Sequence, residues 1–113
     1  MTDSVAFAAP ILQGKTEDAR LFAKEVTTRM DELDAARRPL GITRETVWIQ
    51  PTPMGDFLVV LLEGSNVASA NASFAASSSP FDTWFKERVL GFTGIDFGQP
   101  IPVLPEIVVD YRV

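Results

Sequence analysis

The chain predicts an α+β domain, with helices packed on one antiparallel sheet. Three observations carry this. Residues 4–12, 46–52 and 56–64 are apolar, β-branched or aromatic over strand lengths. Residues 16–37 and 79–90 repeat apolar side chains at helical spacing. The two middle strand segments are joined by "PTPMGD", whose prolines and Gly-Asp favour a hairpin loop. With 113 residues, 46% of them apolar, there is room for one domain (1–113) with a real core.

The elements follow in order. "SVAFAAPIL" (4–12) reads as a first strand, with Pro10 near its end where a missing donor is tolerable. Gly14 turns the chain, and Thr16 is a candidate cap for a helix whose first turn carries Glu17 and Asp18. Phe22, Val26, Met30, Leu33 and Leu40 predict one long amphipathic helix to about residue 37, stopped by Pro39 and Gly41. On its outer face, Glu25 and Arg29, and Asp34 and Arg38, are spaced four apart with the acid first. "TVWIQPT" and "DFLVVLLEG" form the hairpin. "NVASANASFAASSS" is read as a short helix of small residues, because Val67, Ala70, Phe74 and Ala75 share a face. "SPFDTWFKERVL" has Ser79 as cap, Pro80 at the first helical position and Asp82 completing a capping box, with Asp82 and Lys86 paired. It predicts a helix of about three turns, ended by Gly91 and Gly94. Residues 93–105 read as an extended loop and "EIVVDYRV" (106–113) as a last strand. The order β-α-β-β-α(α)-β is the ferredoxin-like arrangement.

The strand at 56–64 is apolar on both sides: Leu58, Val60 and Leu62 on one, Phe57, Val59 and Leu61 on the other. Helices cover one side, so a second subunit packed sheet to sheet is expected on the other. "GKTEDA", "GITRETVWIQPTPMGD", "LLEG" and "SPFDTWF" resemble an uncharacterised bacterial family of the dimeric α+β barrel superfamily, over nearly the whole chain. The resemblance implies a homodimer of ferredoxin-like subunits, each with a pocket between sheet and helices. The superfamily holds cofactor-free monooxygenases, dehydratases, isomerases and haem enzymes, so the fold does not choose among activities.

Composition excludes more than it selects. The net charge is −5 and the basic residues are scattered, apart from Arg37 and Arg38, which argues against nucleic acid. There is neither cysteine nor histidine. Thiolate chemistry, disulfides, the usual zinc ligands and the proximal haem histidine are therefore absent, and no cofactor is expected. The first residues lack a basic n-region and their apolar run is too short for a bilayer, so a cytoplasmic location with no membrane partner is expected. "APILQGKT" fails the phosphate-loop pattern at Ala9, and Pro10 lacks a donor. Asn71-Ala72-Ser73 matches a glycosylation acceptor by chance.

The candidate ligand-binding residues are Trp48, Gln50, Met54, Trp84 and Arg38. The tryptophans offer flat apolar contacts, Gln50 a hydrogen bond and Arg38 an anion contact. Glu63 and Asp110 are the candidate acid–base pair, should either carboxylate be dehydrated inside a barrel. Each has a plain structural alternative. The aromatics fill cores, Arg38 pairs with Asp34, and the carboxylates sit solvated or paired at strand ends. The leading expectation is a homodimer binding a small, partly apolar molecule. A cofactor-independent enzyme of monooxygenase, isomerase or decarboxylase type is the alternative, and a packed module with no cavity the third.

Overall fold

The computed structural model describes residues 2–99, 101 and 103–113. It is an α+β domain with a three-stranded antiparallel sheet in the order β1-β3-β2. The elements are β1 (Asp3–Pro10), α1 (Thr16–Thr27), α2 (Met30–Arg37), a 3-10 turn (Arg38–Leu40), β2 (Ile42–Thr52), β3 (Gly55–Gly64), α3 (Val67–Ala76) and α4 (Pro80–Thr93). Among the described residues, no helix is long and apolar enough to cross a membrane.

Register assigns the two faces of the sheet. Phe7 and Val47 stand opposite Val60, and Ala9 and Ile49 opposite Leu58, so these share the helix side. There Leu58 and Val60 meet Phe22 of α1 and Val89 and Phe92 of α4 in one buried cluster with Ile11 and Ala19, and Phe7 and Ile49 pack against it. Phe92 is 1% exposed. Burying such a ring contributes about 1.5–3 kcal/mol relative to leaving it in water. Ala8 and Trp48 flank Val59 on the other side, and Ala6 and Thr46 flank Leu61. Among the described residues no helix lies over that face, and Trp48 is 47% exposed.

The long helix expected to residue 37 is two helices. Thr27 and Thr28 donate their hydroxyls to the carbonyls of Lys24 and Glu25, three residues back. The backbone N–H groups of Thr28 and Arg29 likewise bond three residues back. This tightening ends α1, and the chain restarts at Met30. The break changes the ion pairs. Arg29 turns to Glu32 (2.7 Å), and Glu25 accepts from Arg88 on α4 (2.8 Å). The pair of Arg38 with Asp34 forms as expected, at 2.9 Å. Thr16 does not cap α1. It is the first helical residue, and its hydroxyl donates to the Asp56 carboxylate at 2.7 Å. Arg38 keeps helical backbone before Pro39, and the chain stops one turn later at Gly41, where φ is +74°.

Gly41 also sits against Gly64. A Cβ on Gly64 would fall 2.5 Å from the Gly41 carbonyl oxygen, and that same oxygen accepts from the Ser65 backbone N–H. The 3-10 turn and the end of β3 therefore cross backbone to backbone.

The starts of α3 and α4 are local. Asn66 accepts from the Ser69 backbone N–H, and Ser79 from that of Asp82 at 3.3 Å. The return half of the Ser79 capping box is missing, because the Asp82 carboxylate is taken by Arg37. Lys86, expected to pair with Asp82, instead donates to the carbonyls of Phe74, Ala75 and Ser77 at the end of α3. It satisfies acceptors that a helix end leaves open. α4 passes through Gly91 without breaking and ends at Gly94, a left-handed cap with φ +75°.

Residues 106–113 are not a strand. They have the composition of one but pair with nothing among the described residues and are exposed. Strand propensity describes fit to a neighbouring strand, and no neighbour is supplied within the molecule. In the expected loop 93–105, Thr93 belongs to α4, while Pro100 and Pro102 lie outside the described residues.

Candidate functional site

Between the sheet and the helices lies a cavity of about 90 Å³. The sheet contributes Val5, Phe7, Val47, Val60 and Leu62 to its wall. The helices contribute Phe22, Phe85, Ala70 and Phe74. Small residues in α3 let that helix approach closely, and Phe74 packs edge-on against Phe85 at 5.8 Å. The segment after α4 adds Phe97, Ile101 and Leu104, with Phe97 stacked near Phe7 at 6.0 Å.

Three polar residues reach this wall: Arg37, Glu45 and Asn71. Arg37, at the end of α2, is 8% exposed. Its Nε donates to Glu45 of β2 at 2.7 Å and its Nη1 to Asp82 of α4 at 3.2 Å. Its guanidinium lies over Phe74 and Phe85, 4.7 and 5.0 Å from the ring centres. One buried cation thus joins α2, β2 and α4. With two carboxylates on one guanidinium, the cluster carries a formal negative charge. Among the described residues, no buried side-chain nitrogen or oxygen lacks a partner. The site therefore offers mainly shape and apolar contact, its charged groups being paired with one another.

The sequence-predicted residues do not line this cavity. Trp48 and Gln50 lie on the opposite face of the sheet, where Gln50 donates to its neighbour's carbonyl, that of Pro51, at 2.9 Å. Met54 is at the hairpin tip and 91% exposed. Trp84 packs on Phe22 (5.4 Å) and Phe81 (5.7 Å), beneath the guanidinium of Arg29 at 4.3 Å. The next residue, Phe85, faces the cavity instead. Arg38 is exposed against Asp34, whose hydrogen bond raises the arginine pKa further above its ordinary value. Glu63 pairs with Arg44 at 3.3 Å, and Asp110 with Arg112 at 3.3 Å in the exposed C-terminal segment. The two carboxylates do not meet: Glu63 is in β3, and Asp110 is outside the sheet.

Sequence reasoning missed Arg37, Glu45 and Asn71. A signal existed for Glu45. It shares the alternation of Val47 and Ile49, so it is a charge on the face that alternation turns toward the helices. A charge there needs a partner. Among the described residues, no group of three metal-ligating side chains comes together. Neither a family model, a curated protein nor a solved structure matches the chain.

Proposed function

We propose that the chain is a small-molecule-binding protein whose ligand is neutral, mostly apolar and no larger than a small ring or short chain. The cavity between sheet and helices carries this reading. At about 90 Å³ it is well below the ~300–1,000 Å³ of drug-sized ligand sites. Its charged wall residues, Arg37 and Glu45, are paired with each other, and the formal negative charge of the Arg37 cluster opposes anions. No carboxylate candidate for acid–base work lines it except Glu45, which is held by Arg37. Binding is thus favoured over catalysis.

In the same reading the subunit is ferredoxin-like and forms a homodimer through the bare sheet face, as in the dimeric α+β barrel superfamily that the sequence resembles. The row of Ala6, Ala8, Trp48, Val59 and Leu61 supports this, since an apolar sheet face left in water favours burial against a partner.

Titration with toluene, followed by heteronuclear NMR, tests the binding reading. Saturable shifts are expected at Val47, Val60 and Ala70, with none from benzoate at the same concentration. Ala70→Leu, which fills the space, is expected to remove them. Equal response to benzoate, or no response to toluene, would overturn the reading.

A further inference from the structure

Residues 106–113, "EIVVDYRV", form an exposed arm without regular secondary structure, bent at Val108. Ile107 is 68% exposed, and Val109 and Tyr111 are each 83% exposed. Among the described residues, the arm's hydrogen bonds run only between Arg112 and Asp110. An apolar, β-branched segment of this kind is stable in water only against something.

The sheet offers two edges, and they differ in chemistry. The outer edge of β2 carries the devices that discourage pairing: an irregularity between Ile42 and Arg44, the charges of Arg44 and Glu45, and Pro51. β1, paired only with β3, has none between Ser4 and Ala9. Its run "SVAFAA" is small or apolar and flat in register with β3 throughout. Unpaired N–H and C=O groups along such an edge form a template for another strand.

We infer that residues 106–113 of one molecule add as a fourth strand to the β1 edge of a second copy, and that the two copies exchange arms. Residues 106–113 are enough to run beside all eight residues of β1, about 26 Å when extended. The alternation also agrees. Ile107, Val109 and Tyr111 would continue the row of Val5, Phe7 and Ala9, and Val108 would continue Ala6 and Ala8. The chain just before the arm is committed to its own molecule, with Phe97 on Phe7 and Ile101 and Leu104 in the cavity wall. Each copy owns one arm and one open edge, so a two-fold pair uses both with none left over. This inference rests on the homodimer reading and specifies how it is closed.

The chain has no cysteine, so two introduced ones report without background. Ala6→Cys and Ala8→Cys are each combined with Val108→Cys in one chain, oxidised, and read by non-reducing electrophoresis and intact mass. A covalently closed dimer is expected from at least one combination. Deleting residues 106–113 is expected to weaken self-association at least tenfold in sedimentation equilibrium. A disulfide within one chain would overturn the inference by placing the arm on its own edge. A dimer that forms no disulfide, or that survives the deletion unchanged, would overturn it and leave the sheet-to-sheet reading standing. A full-length chain that is monomeric at micromolar concentration would overturn both.

Discussion

β3 is apolar on both sides, yet its two faces have different fates. Leu58 and Val60 lie under α1 and α4, whereas Val59 and Leu61 look out between Trp48 and the alanines of β1. Alternation therefore identifies which side chains seek cover but not what supplies it. On one face the cover is encoded in the same chain, close by in sequence. On the other, the chain supplies no helix among the described residues, and the proposed partner would provide the cover.

The sharpest way to test this asymmetry is a pair of substitutions. Phe92→Ala, on the covered side, is expected to cost about 3–5 kcal/mol in urea unfolding, because it removes a ring from a closed core. Trp48→Glu, on the bare side, is expected to leave unfolding of the isolated chain within about 0.5 kcal/mol. It should nonetheless abolish the proposed dimer in sedimentation velocity. Comparable destabilisation by both, measured where the chain is monomeric, would erase the distinction between the faces.

A second contrast sets the covered cluster against the surface. Asp82→Ala is expected to cost about 3 kcal/mol, at the lower end for a broken buried pair, because Glu45 still holds Arg37. Asp34→Ala, which frees the exposed Arg38, is expected to cost far less, because solvent screens that pair. Chemical denaturation of the two variants side by side measures the difference.

The smallest effect concerns Glu32. Its hydrogen bond from Arg29 holds its carboxyl below the usual carboxylate range. A depressed folded-state pKa gives a contribution present above the unfolded value and lost as pH falls through the folded one. An NMR titration should therefore find the Glu32 midpoint below that of a free glutamate. Arg29→Gln should return it toward the ordinary value.

How far the sequence was legible depended on where each side chain's partner lies. The start of α4 was readable because Ser79 caps the Asp82 backbone N–H and Pro80 takes the first helical position within one turn, and the hairpin because "PTPMGD" turns on itself. The split between α1 and α2 was not. Hydrophobic spacing runs through Thr27 and Thr28, and only their hydroxyl bonds reveal the break. The polar wall of the cavity was hidden for a related reason. Arg37 meets Asp82 across 45 positions, and Asp82 was assigned instead to its i+4 neighbour Lys86. Of the two tryptophans proposed for a site, Trp84 packs on Phe22 while Trp48 is half exposed on the bare face, and Trp84 and Phe85 point to different neighbours although adjacent in sequence. "EIVVDYRV" has the composition of a strand, and composition does not name the chain it pairs with.

The crossing of Gly41 and Gly64 has a consequence for how this sequence can vary. Neither position answers to its own element alone. A methyl group at Gly64 meets a backbone oxygen, which cannot rotate away, and Gly41 already needs the left-handed conformation. The two glycines, 23 positions apart, therefore hold one backbone crossing, and a side chain at Gly64 requires the turn at Gly41 to be rebuilt.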